Sequence, residues 1–170
     1  MCIMHVYVYT MKTTNRAHHA WAMYDWANST YNLVISTAIF PIFYSAVTRT
    51  AEDGGEGDLV RFWGGLYKNT EVLSYALALG MLLVCLLAPT IAGLADYLGK
   101  KKMFMKWACY LGAASCASLF FFDVHHLEWS MVSIVLACIG FWCSYALYNS
   151  FLPEIATPEE QDRLSARGFS

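Results

Sequence analysis

Polar side chains gather where this chain turns apolar. In AWAMYDWANSTYN, Ala20 to Asn32, an aspartate, two asparagines, a serine and a threonine lead into a hydrophobic run. At 3.6 residues per turn, Asp25, Asn28, Ser29, Asn32 and Ser36 fall on one helix face, all within about 60° of Asp25. Tyr145 and Asn149, one turn apart near the end of another apolar run, share a face in the same way. Inside a membrane such groups avoid lipid, so two roles are open: lining a path for a polar solute or ion, or hydrogen bonding between helices. With the first run centred near Thr37, Asp25 lies about 18 Å from the midplane, beyond a hydrocarbon half-thickness of about 15 Å. Its carboxylate is therefore expected at the water interface, where it favours the helix N-terminus. Asn32 and Ser36 lie deeper and are better placed to meet a solute.

The second cluster with chemistry in it is APTIAGLADYLGKKKMFMK, Ala88 to Lys106. Asp96 closes an apolar run, Gly99 permits a tight turn, and Lys100, Lys101, Lys102 and Lys106 follow. Elsewhere, no Ser/His/Asp set, metal-ligand pair or phosphate-binding loop is legible, and Asp25, Asp96 and Asp123 sit at different helix ends, so no catalytic residue, metal site or cofactor is assigned. His18-His19 and His125-His126 are adjacent pairs, whose rings diverge on a helix and read as polar flanks. Five of the six cysteines lie in apolar runs without a C-x-x-C pair and read as small packing residues.

The elements that must position these groups are membrane helices. A composition 58% hydrophobic and 14% charged is unusual for a soluble domain. Four runs reach the roughly 20 residues that cross a hydrocarbon core: Ala27 to Val47, Val72 to Ala95, Met103 to Phe122 and Ser130 to Leu152. The expected fold class is all-α and polytopic, embedded in a lipid bilayer. A net charge of −2 excludes the basic field that nucleic acid requires. Eight of the eleven Lys and Arg residues fall on one side of the alternating connections, which predicts that both termini are cytoplasmic. No cleavable signal precedes the first run. Met11 begins a natural-looking basic start, so residues 1–10 read as an upstream extension, within a cytoplasmic segment 1–20.

The first outer connection holds AEDGGEGD and then LVRFWGGLYKNT, whose aromatics with Arg61 and Lys68 suit a segment at the bilayer interface; no strand is expected in it. FDVHHLEW reads as a tight hairpin between helices. Pro41 is expected to bend the outer third of the first helix. Ala76 with Gly80, Ala88 with Ala92, and Gly112, Ala113, Ala114 and Ala117 are expected to let helices approach closely. Pro153 is expected to end the fourth helix, with Thr157 and Pro158 opening a short one before Arg163 and Arg167.

The order small residue, Leu94, Ala95, Asp96, two residues, Gly99, Lys100, Lys101 resembles the signature loop between helices two and three of the major facilitator superfamily. Ala92 stands at the usual leading glycine, and Tyr97 at the usual basic residue after the aspartate. Joined to YDWANS and to YNSFLPEIATPEEQDRLSARGFS, the loop is similar to that of the vacuole-effluxer branch, autophagy-related amino-acid effluxers and their bacterial relatives, over Ala20 to Ser170. The resemblance implies a twelve-helix secondary transporter whose two halves rock around a central cavity, moving a small solute such as amino acids with a coupling proton or ion. It makes Asp96, Gly99, Lys100 and Lys101 a cytoplasmic latch, and makes Asp25, Asn28, Asn32, Ser36, Tyr145 and Asn149 candidates for the pathway. Four helices would be the first third of that fold, and residues 153–170 the start of the link to helix five, so the chain is expected to need the remaining helices as partners. A bacterial inner membrane is the simpler location. The alternative is a self-standing four-helix membrane protein with an assembly or regulatory role.

Overall fold

The computed structural model describes residues 2–49 and 58–156 together with residues 161 and 166, with side chains from Arg16 onward. Its architecture is all-α apart from one small hairpin. Among the described residues, four helical segments are long and apolar enough to cross a membrane: Arg16–Thr48, Asn69–Tyr97, Lys101–Phe121 and Val124–Ile155. The chain is a multi-pass integral membrane protein.

The first segment is two helices joined by a defect. Helix α1 (Cys2–Tyr31) starts well before Ala27, because no glycine or proline interrupts the chain from Cys2 to Phe40. It passes into a π-helical stretch, Asn32–Thr37, and resumes as α2 (Ile39–Thr48). Pro41 lies within α2, but the distortion sits one turn earlier. Proline removes the donor that the Thr37 carbonyl would use and its ring crowds that carbonyl. The backbone answers at Ala38, with φ −126° and ψ −65°, and the Ala38 N–H reaches back five residues to the Leu33 carbonyl at 3.1 Å.

The connection to the next span corrects the expectation that it holds no strand. β1 (Leu59–Phe62) pairs antiparallel with β2 (Gly65–Lys68), with Val60 opposite Tyr67 and Phe62 opposite Gly65. Trp63 and Gly64 form the turn, at φ 45° and 80°. Two positive φ values match the right-handed twist of a two-residue hairpin. Val60 is fully buried and Phe62 packs on the core, while Arg61 between them is exposed, so the strand period is satisfied. The acidic Ala51 to Gly57 stretch lies outside the described residues.

Helix α3 (Asn69–Tyr97) follows, then α4 (Lys101–Ser118) and α5 (Leu127–Ser150). Between α3 and α4, Gly99 adopts φ 62° and closes a helix C-terminal motif: Gly99 N–H binds the Asp96 carbonyl and Lys100 N–H the Ala95 carbonyl, both at 3.1 Å. Short 3₁₀ turns at Leu119–Phe121 and Val124–His126 join α4 to α5, and the Asp123 carboxylate accepts the His125 N–H at 3.0 Å. Helix α5 stops at Ser150 rather than at Pro153. Pro153 instead occupies the first turn of α6 (Leu152–Ile155), where its missing N–H leaves no broken bond. The Thr157 cap, Pro158, Arg163 and Arg167 lie outside the described residues.

α5 is the central helix. It packs against α4 on one side and α3 on another, and α1 meets it over a shorter stretch. Ile134, Ala137, Cys138, Gly140, Cys143 and Leu147 are all buried along it, whereas Leu79, Leu82 and Leu86 of α3 and Trp107 and Tyr110 of α4 face outward. The small residues divide accordingly. Ala76, Gly80 and Gly112 are buried, Ala88 and Ala92 are half-buried, and Ala113, Ala114 and Ala117 are exposed. At the closest approach, a Cβ on Gly140 would sit 2.5 Å from the Gly112 nitrogen and 2.6 Å from its Cα, while a Cβ on Gly112 would meet nothing nearer than 3.5 Å. Two backbones therefore touch where Gly140 alone has no room to grow. Gly140→Ala should destabilise the purified protein by about 1–3 kcal/mol, whereas Gly112→Ala should stay within about 0.5 kcal/mol, measured by thermal unfolding in detergent. Equal losses at the two glycines would contradict this packing.

Candidate functional site

Two constellations stand at the lysine-bearing end of the bundle. The first is an aromatic seam between α1 and α5. Trp21 stacks on Tyr148 with ring centroids 4.5 Å apart, Tyr24 stacks on the same ring at 4.9 Å, and Tyr31 stacks on Phe141 at 4.2 Å. Tyr145 continues the column, 5.8 Å from Tyr148 and 6.0 Å from Phe141. Helical spacing builds it, since Phe141, Tyr145 and Tyr148 lie at i, i+4 and i+7, and Trp21, Tyr24 and Tyr31 at i, i+3 and i+10. The Tyr24 hydroxyl also lies 3.1 Å from Cys109 Sγ on α4.

The pathway candidates divide around this seam. Asp25 is buried, only 6% exposed. Asn28 is half-buried, and its amide nitrogen has no hydrogen-bond partner among the described residues. Ser29 turns outward and returns its hydroxyl to the Asp25 carbonyl at 3.1 Å; Asn32 is exposed. Ser36 lies inside the π stretch, whose wider turn ends the 100° spacing, and is half-buried. On α5, Tyr145 is in the seam, while Asn149 is exposed and its neighbour Tyr148 is the residue that meets α1. Asp25, Asn28 and Tyr145 thus gather at one seam, and Asn32 and Asn149 do not join them.

Three further buried polar atoms at the seam, Trp21 Nε1, Tyr31 Oη and Tyr148 Oη, have no hydrogen-bond partner among the described residues. Trp21, Tyr24 and Tyr148 were absent from the candidate set. The spacing of Trp21 and Tyr24 at i and i+3, and of Phe141, Tyr145 and Tyr148 at i, i+4 and i+7, was the available signal.

The second constellation is ionic. Lys101 Nζ reaches Asp96 Oδ1 at 2.7 Å and Glu154 Oε1 at 2.5 Å, with the lysine side chain 17% exposed and both carboxylates about half exposed. It joins the α3–α4 turn to α6. Lys100 is exposed and Gly99 supplies the turn. Glu154 lies 53 residues from its partner, and no local pattern announces it. A second tether runs nearby, from His18 Nε2 on α1, which donates to the Ile155 carbonyl at 2.8 Å. Three separated parts of the chain therefore meet at this end.

Residues 13–167 match the family described as vacuole effluxer Atg22 like, and so cover both constellations. The chain belongs to this family. Among curated relatives it is 32% identical, over 94% of its length, to the uncharacterized MFS-type transporter YxiO of Bacillus subtilis, and 22% identical, over 85%, to Autophagy-related protein 22 of Pyricularia oryzae. It spans 35% of the first and 24% of the second. No solved structure matches it. The resemblance to the major facilitator superfamily and its vacuole-effluxer branch is borne out, as is the all-α polytopic class.

In this Atg22-like chain the ionic bridge is partly solvated, so each pair is expected to be weak. A double-mutant cycle with Lys101→Met and Glu154→Gln should give a coupling of about 0.2–1 kcal/mol in thermal unfolding, and raising the salt concentration should shrink it. A coupling above about 2 kcal/mol, insensitive to salt, would mean the pair is more enclosed than its exposure indicates.

Proposed function

We propose that this chain is the first third of a secondary-active transporter that moves a small solute by alternating access. The observation that carries this reading is the extent of the match to an MFS-type transporter: nearly the whole chain aligns while spanning 35% of that relative, and four of twelve helices is a third. Residues 1–20 would be a cytoplasmic segment, the four spans the opening of the N-terminal half, and residues 153–170 the start of a cytoplasmic link. The remaining helices would be its principal partners, and amino acids are the solute class that the family resemblance implies.

In this reading, Asp25, Asn28 and Tyr145 face the pathway from the α1–α5 seam, with Asn32, Ser36 and Asn149 lining wall that the other half completes. Gly99, Lys100 and the Asp96–Lys101 pair, extended by Glu154, act as the latch that holds the α3–α4 turn against α6 and biases the conformation. The lysine-rich end is cytoplasmic, as the charge distribution favours. A bacterial plasma membrane is supported by the higher identity to the bacterial relative than to the fungal one.

Three measurements test this. The coding sequence downstream should specify eight further apolar spans, and a 170-residue chain reconstituted alone should accumulate no labelled amino acid above protein-free liposomes. Solute accumulation by the isolated chain would overturn the partial-transporter reading. Alkaline phosphatase fused after Lys102 should be inactive and fused after Gly64 active; the reverse pattern would overturn the orientation.

A further inference from the structure

We propose that the outward face of α4 at the lysine-rich end holds an anionic phospholipid, its headgroup phosphate between Lys102 and Lys106 and its ester region against Trp107 and Tyr110. The first observation is charge that the protein leaves uncompensated. Lys101 takes both carboxylates that the described residues bring to this turn, Asp96 and Glu154. Lys102 and Lys106 are exposed, form no ion pair among the described residues, and lie on a helix that carries no acidic residue. They are four residues apart, so their Cβ atoms are about 5–6 Å from one another and one phosphate is within reach of both. The helix dipole adds to the mismatch, since cations at a helix N-terminus are disfavoured and an anion there is favoured.

The second observation is the depth at which aromatic residues follow. Trp107 is 68% exposed and Tyr110 65%, and at 100° per residue they fall with the two lysines in an arc of about 140°. At 1.5 Å per residue Trp107 lies about 7.5 Å below Lys102 along the axis, and the interfacial layer on each side of a bilayer is about 5–8 Å thick. With the ammonium groups among the headgroups, the indole therefore reaches the edge of the hydrocarbon core, where tryptophan and tyrosine are enriched.

Topology by itself needs only the lysines; a lipid site needs the rings one layer below them as well. A helix packed on this face instead would cover two unpaired ammonium groups and two projecting rings, whereas close helix contact in lipid calls for small residues. A phospholipid meets each group in turn, with phosphate for the lysines, ester oxygens at the level of the indole N–H and phenol, and acyl chains beyond. Neither the transporter reading nor the orientation enters, because the site lies in the headgroup layer on whichever side the lysines face.

Each lysine near an anionic surface contributes about fivefold to binding, so two contribute about 25-fold. Native mass spectra of the 170-residue protein released from detergent should show one phosphatidylglycerol retained per chain, bound about 25-fold more tightly than phosphatidylcholine with the same acyl chains. Lys102→Gln with Lys106→Gln should reduce phosphatidylglycerol to the level of phosphatidylcholine, and either substitution alone should cost about fivefold, which keeps the test open if the double variant does not fold. Arg61→Gln with Lys68→Gln, on the hairpin at the opposite end, should change neither lipid. Equal retention of the two lipids by the wild-type protein overturns the proposal. Selectivity that survives in the folded α4 variants, or that is lost in the hairpin variant, places the lipid elsewhere and also overturns it. A wild-type dimer that retains no lipid and dissociates on the α4 substitutions would assign the face to a second copy of this chain instead.

Discussion

The contact on which this bundle depends is the backbone approach of α5 to α4 at Gly140. In lipid no hydrophobic force draws one apolar helix to another, so attraction must come from close packing. Gly140 allows that by presenting its α-carbon directly to Gly112 and to the Ala108 carbonyl. On another face, Gly80 of α3 fits against Cys138, where an added Cβ would lie 3.1 Å from the sulfur. α5 is thereby held on two sides, and the burial of more than half of its residues follows from those two small-residue contacts. α1 is added to this core through aromatic rings rather than backbone contact, which makes it the least tightly seated of the spans.

A different kind of bond secures the opposite end. Tyr44 Oη donates to the Asn69 carbonyl at 3.0 Å, Asn69 Nδ2 donates to Thr48 Oγ1 at 2.8 Å, and Thr48 Oγ1 donates to the Tyr44 carbonyl at 2.6 Å. These buried groups tie the last turn of α2 to the first of α3. The hairpin is fixed to the same point by Asn69 N–H on the Asp58 carbonyl at 2.7 Å, and to α5 by Trp63 N–H on Glu128 Oε1 at 3.1 Å. The irregular stretch Asn32–Ala38 lies between this pinned end and the aromatic seam. A π segment carries spare backbone per turn, so a rotation of α1 relative to α2 has somewhere to be absorbed.

What could be read in the sequence was set by how local its cause is. Four apolar runs announce four spans because bilayer thickness fixes their length. The Gly99 turn was legible for the same reason, since one residue carries it. The hairpin was not, because Trp63 is a poor signal for a positive φ and four-residue strands show hardly two periods. Helical phase correctly gathered Asp25 with Asn28, yet it could not say that Tyr148 rather than Asn149 would face them. One residue is a rotation of about 100°, and only the packing of α5 between α3 and α4 decides it. Glu154 was out of reach in principle, since its distance from Lys101 is closed by three helices.

The seam also carries an internal tension that bears on how the protein works. Stacked aromatic rings contribute about 0.5–1.5 kcal/mol per pair beyond their burial, while each buried polar atom without a partner costs about 1–3 kcal/mol. Trp21 and Tyr148 supply both terms at once: their rings stack while Nε1 and Oη go unpaired. Phenylalanine at 148 would keep the stacking and remove the penalty, so stability alone does not favour the tyrosine. Two such atoms cost about 2–6 kcal/mol, more than the one stack returns, so the burial of the rings must carry the contact. A water or polar solute bonding to those atoms would offset that cost, so the seam is stabilised least while they stay dry.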